Sequence, residues 1–120
     1  MTDSDYVDEG FPLMKKILSN GFLALGITED DRVFVILRDL DSEEKGMTQV
    51  DAWTNVADLA IGNSHTVALL HDGTVLAAGR NDRGQCNVES WTDVEKIYAG
   101  KNCTLGINKN GDLLIAGQIQ

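Results

Sequence analysis

The chain has little proline, cysteine, aromatic side chain or positive charge, and each scarcity excludes something. Lys and Arg number 10 against 19 Asp and Glu, for a formal charge of -9 at pH 7. That is the wrong sign for direct docking on nucleic acid or an anionic membrane, where neutralised phosphate drives association. The two cysteines, Cys86 and Cys103, have neither CxxC spacing nor a histidine pair at zinc-ligand distance, so neither metal nor other cofactor is implied. No stretch reaches the roughly 18 apolar residues of a transmembrane helix. Residues 1–10 carry Asp3, Asp5, Asp8 and Glu9 without a base or an apolar run, the opposite of a secretory or mitochondrial leader. A cytoplasmic location and free thiols are the expectation. What is present is 42% hydrophobic residues and 12 glycines, which predicts a folded domain with many tight turns and a mostly aliphatic core.

The chain repeats itself. A shift of 38 residues, from Trp53 to Trp91, also lays Val56 on Val94, Leu59 on Ile97, Gly62 on Gly100, Gly73 on Gly111 and Gly79 on Gly117 without a gap. Periods of this size mark stacked supersecondary units. A fainter copy precedes them, with Phe11 in the Trp position, Met14 in the Val position, and Ala24-Leu25-Gly26-Ile27 over Thr104-Leu105-Gly106-Ile107. Its turn carries Asp31 in place of glycine, and four extra residues are expected between Arg38 and Val50. The organisation read from the sequence is an acidic segment, residues 1–10, then a repeat domain, residues 11–120, divided as 11–52, 53–90 and 91–120.

Each copy has the grammar of a small antiparallel sheet, so the fold class is all-β. In the second copy, strands are expected at 59–61, 65–70 and 74–78, with Asp72-Gly73 as a hairpin turn whose glycine supplies the positive φ that strand twist requires. Asn110-Gly111 makes the same turn in the third copy. The loop Arg80 to Gln85 follows, and Asn87-Val88 is expected to add a fourth, outer strand, making each repeat one four-stranded propeller blade.

The string Ile61-Gly62-Asn63-Ser64-His65-Thr66-Val67-Ala68-Leu69, with Asp72-Gly73-Thr74-Val75, Gly79-x-Asn81-x-x-Gly84-Gln85 and Trp91, resembles the repeat of the regulator of chromosome condensation family in its short prokaryotic or viral form. The resemblance implies a β-propeller, usually seven-bladed, used mostly as a protein-binding platform. The founding member's nucleotide-exchange and chromatin-docking activities are not implied, because the loops and tails that carry them have no counterpart here.

Three blades leave open sheet faces, whereas propellers close with about four to eight. The simplest closure is a head-to-tail homodimer giving six blades, with residues 4–10 as the fourth strand of the neighbour's last blade. A seven-bladed ring completed by a four-blade partner and a non-propeller packing of the sheets are the alternatives.

Candidate chemistry is sparse. His65 aligns with Cys103 and Leu23, an exchange that packing tolerates and catalysis does not. No Ser/His/Asp or Cys/His constellation and no phosphate cradle is visible, so the chain is not expected to be an enzyme. Charge is uneven: residues 1–52 hold 12 acids against 5 bases, and residues 53–120 hold 7 against 5. Asp39, Asp41, Glu43 and Glu44 lack the glycine and distal glutamate of a calcium loop. They are the candidate docking surface for a basic protein, in the sharp form a small acidic inhibitor of a nucleic-acid-handling protein. The alternative is a nucleotide- or sugar-binding protein using Arg38, Arg80 and Arg83, which can fork onto anions, with Trp53 and Trp91.

Overall fold

The computed structural model describes residues 10–20, 23–38 and 50–118. These residues form nine strands: β1 Met14–Ser19, β2 Leu23–Thr28, β3 Val33–Arg38, β4 Val56–Ile61, β5 His65–Leu70, β6 Val75–Gly79, β7 Val94–Ala99, β8 Cys103–Asn108 and β9 Leu113–Gly117. They make three antiparallel three-stranded meanders, ordered β1-β2-β3, β4-β5-β6 and β7-β8-β9. The copies agree in detail. All three first strands carry a register shift at the same place, between Met14 and Lys16, Val56 and Asp58, and Val94 and Lys96. Each aligned glycine of the second and third hairpin turns is left-handed, Gly73 at φ 87° and Gly111 at φ 86°. Asp31 adopts the same conformation at φ 65°, a geometry that aspartate tolerates better than most residues.

The sheets stack face to face as a fan. β4 packs on β1 and β2, and β7 packs on β4 and β5, so neighbouring sheets meet most closely at their first and second strands. The gap left toward the third strands is filled by the connecting segments. Strand alternation divides the second sheet between two cores. Leu59 and Ala68 face the first sheet's Leu23, Leu25, Ile27 and Val33. Val67, Leu69 and Val75 face the third sheet's Val94, Ile97 and Ala116. The principal extents are 49 × 31 × 24 Å, those of an open arc.

Two expectations are corrected. Asn87-Val88 is not a strand: Val88 is buried in the second core beside Trp91, and its equivalent Val50 is buried in the first. A segment that plugs the gap between two sheets turns its side chain inward and cannot also lie along the edge of one, so each described sheet has three strands. Nor do all four extra residues of the first copy fall after Arg38. A register shift in β3 places Ile36 as one of them, since Ala24 pairs with Leu37 while Leu25 pairs with Val35. Residues 1–9, which include most of the expected swapped strand, lie outside the described residues.

Candidate functional site

The hairpin turns β2–β3, β5–β6 and β8–β9 all lie at one end of the fan, and this end is acidic. Glu29, Asp30, Asp31, Asp72 and Asp112 stand in the turns themselves. Asp93 joins them, its carbonyl accepting from Lys109 N–H at 2.9 Å, and Asp51 does so through its carbonyl, which accepts from Arg32 at 3.2 Å. Three of these carboxylates are held ionised by local donors. The Thr74 hydroxyl and amide donate to Asp72 Oδ1 at 2.5 and 3.0 Å, and these bonds lower its pKa. The Thr28 hydroxyl does the same for Asp30 at 2.6 Å. Lys15 holds Asp31 down, with a smaller contribution from His71, whose Nε2 lies 3.2 Å from Asp31 Oδ2. Each carboxylate therefore keeps its charge through a hydrogen bond to its ionised form.

The opposite end carries Arg38, Arg80, Arg83 and Lys101. Asp82 is also there, paired with Arg80 at 2.9 Å, and Arg80 lowers its pKa. Register explains the separation: every second strand starts at this end and finishes at the turns. Acids from all three copies are thereby gathered at one end, where they outnumber Lys15, Arg32 and Lys109, although they are scattered along the sequence.

The residues proposed for a small ligand are not brought together. Trp91 is a buried wedge between the second and third sheets. It lies so close to the third sheet that a side chain on Gly106 would come within 2.9 Å of its ring. Trp53 packs half-buried against the first core. Both enter from the acidic end, whereas Arg38, Arg80 and Arg83 stand at the other. Arg80 is engaged by Asp82, and Arg83 reaches Gln118 Oε1 at 3.2 Å. The loop is held by its own amides: Asn81 Oδ1 accepts from Cys86 N–H at 2.8 Å, and Gln85 Oε1 accepts from Arg83 N–H at 2.9 Å. Asp39, Asp41, Glu43 and Glu44 lie outside the described residues.

Sequence reasoning missed one polar cluster. His65 is fully buried, with Nε2 2.9 Å from the Thr104 hydroxyl, which in turn donates to the Gln85 carbonyl at 2.7 Å. Burial lowers the His65 pKa, opposed in part by the nearby Cys103 backbone. Its Nδ1 and Gln85 Nε2 have no protein partner. The equivalent of Thr104 in the second copy is Thr66, also buried. The recurrence of a threonine at one repeat position was the available signal. Cys86 and Cys103 are free, and burial together with Glu89 pushes the Cys86 thiol up, away from the reactive thiolate. Among the described residues no group of His, Cys, Asp and Glu is arranged to hold a metal ion.

Comparison with known proteins fits this architecture. Prp20p from Saccharomyces cerevisiae, a protein described with its binding to Gsp1p and histones, shares the fold at TM-score 0.67 and 18% identity, over 97% of this chain and 33% of that one. The CRINKLY WD40 ectodomain of the Arabidopsis thaliana receptor kinase ACR4 does so at TM-score 0.65 and 14% identity, over 89% and 38%. The chain thus spans about a third of the first structure and somewhat more of the second, and the shared fold is that of β-propeller blades. A sequence comparison with curated proteins finds no match. Residues 56–85, which run from β4 through the loop after β6, match the Regulator of chromosome condensation (RCC1) repeat, about a quarter of this chain.

Proposed function

We propose that this chain is a non-catalytic, cytoplasmic protein-binding module whose acidic end docks on a basic partner. In its sharp form it is an inhibitor occupying a surface that otherwise holds nucleic acid. The observation that carries this reading is the gathering of Glu29, Asp30, Asp31, Asp72, Asp93 and Asp112 on one rim, where they outnumber Lys15, Arg32 and Lys109. Such a rim steers a positively charged surface and fixes the orientation in which it arrives. The acidic residues Asp39, Asp41, Glu43 and Glu44 add to the chain's negative charge and lie outside the described residues. The protein partners of Prp20p support the use of these blades as a platform. Ring closure with a second copy, to about six blades, belongs to the same proposal.

The test is capture on immobilised chain from source-cell extract, with bound proteins identified by mass spectrometry at low and high salt. A basic partner is expected, lost steeply as salt rises, and lost when Asp30, Asp72 and Asp112, or Asp39, Asp41, Glu43 and Glu44, are changed to Asn or Gln. Capture indifferent to salt and to both sets of changes overturns the reading. Thermal stabilisation by a nucleotide or sugar, abolished by Arg80→Ala or Arg83→Ala, would replace it with the small-ligand alternative.

A further inference from the structure

The chain makes one kind of interface twice and carries its two halves, uncovered, at its ends. Where the first sheet meets the second, Asp31 C=O accepts from Val56 N–H at 2.9 Å; where the second meets the third, Gly73 C=O accepts from Val94 N–H at 3.0 Å. Repeat equivalence extends this series to Gly111 C=O on the third sheet and Met14 N–H on the first. The same alignment governs the side chains. Val67, Leu69 and Val75 of the second sheet are covered by the third, but Leu113, the counterpart of Val75, and Tyr98 and Ile115 on the same face are 60%, 48% and 45% exposed. On the other side, Trp91 is 8% exposed between two sheets while its counterpart Phe11 is 45% exposed, and Ile17, counterpart of the buried Ile97, is 60% exposed. Phe11 packs only sideways, its ring 5.6 Å from that of Phe34. The turn glycines give the sharpest sign. A side chain at Gly73 would meet Asp93 N at 3.1 Å, whereas one at Gly111, in the same conformation, would meet nothing within 4 Å.

We infer that a second copy of this chain seats its first sheet on the third sheet of this one, and the reverse, so that the interface already made twice within each chain continues across two seams. This deepens the ring closure proposed above and does not depend on the acidic-partner reading. Each seam places Leu113, Ile115 and Tyr98 against Phe11 and Ile17 of the other copy, with a Met14 N–H to Gly111 C=O hydrogen bond. The contact is head to tail, so it stays finite only if it closes. Two arcs of three sheets close within the usual range of blade number.

Light scattering after gel filtration tests it. The wild-type chain is expected at twice 13.1 kDa. Leu113→Asp with Ile115→Asp, and separately Ile17→Asp, are each expected to run at the monomer mass with β-sheet circular dichroism retained. An equimolar mixture of the two, at high concentration, regains the dimer mass, because one undamaged first-sheet face meets one undamaged third-sheet face. A wild-type monomer or a mass that grows without limit overturns ring closure itself. A wild-type dimer that persists in either variant, or a mixture that stays monomeric, overturns this seam. Should a charged variant unfold, Leu13→Cys with Gly111→Cys, with Cys86 and Cys103 changed to Ser, reads the same geometry: oxidation is expected to link two copies covalently, and failure to link them overturns the seam.

Discussion

The two internal seams are built on one plan with different chemistry. At the position nearest the start of the second strand, the first seam has Leu23 and the second has His65, both about fully buried. Around Leu23 the packing is aliphatic, with Leu25, Ile27 and Val33 on the same face. Around His65 it is polar, with Thr104 and the Gln85 carbonyl in a chain of hydrogen bonds. The wedge residues differ as well, Trp53 half-buried and Trp91 buried. The plan thus specifies shape and backbone bonding and leaves side-chain polarity open. A buried imidazole is tolerated because a neighbouring hydroxyl satisfies one of its nitrogens, as buried polar groups require.

The largest break in this comparison comes from the wedges. Trp91→Ala is expected to cost about 3–5 kcal/mol in urea unfolding, the usual loss for a large core aromatic. Trp53→Ala should cost clearly less, because part of that ring is already in water. Equal losses would mean that the two seams share their stability evenly despite their packing.

A smaller effect separates the turns. Gly73→Ala and Gly111→Ala each force a left-handed alanine, at about 1–2 kcal/mol. Only the first also meets Asp93, at 3.1 Å from its backbone nitrogen, and it should lose more in thermal unfolding of dilute protein. At concentrations where the proposed dimer forms, the gap should narrow, since Gly111 would then face the neighbouring copy.

The smallest effect is pH dependence. Burial holds the folded pKa of His65 below its ordinary value near 6.5. On acidification the unfolded chain therefore takes up a proton first, and stability falls as pH drops below about 6.5 until the folded pKa is passed. Subtracting the pH profile of the melting temperature of His65→Leu from that of the wild type isolates this contribution. The difference should shrink on acidification through that window and be flat above pH 7. A pH-independent difference would show that the imidazole does not resist protonation.

Much of the fold was legible in the residues. The shift that superposes Trp53 on Trp91 also superposes the turn glycines, and the structure places those glycines at positive φ. Local physics acts at short range there: two residues of turn and strand alternation suffice. The fourth strand was misjudged because Asn87-Val88 has the local pattern of an edge, and what decides its conformation is a gap between two sheets that no local pattern describes. The same limit applies to Ile36, whose bulge shows only in cross-strand register. For the site, the sequence put the excess acid in its first half, whereas the structure adds Asp72, Asp93 and Asp112 from the second.

By itself, then, the sequence determined an all-β chain of three copies, the location of its turns, and its net negative charge, because these depend on composition, alternation and φ preference within a few residues. Only the tertiary structure decided that His65 meets Thr104 across 39 positions, that the connecting segments plug the gaps between sheets, and that acids from all three copies gather on one rim. Those outcomes depend on which strand ends meet in space, and stacking equivalent sheets in one orientation brings together residues that are far apart along the chain.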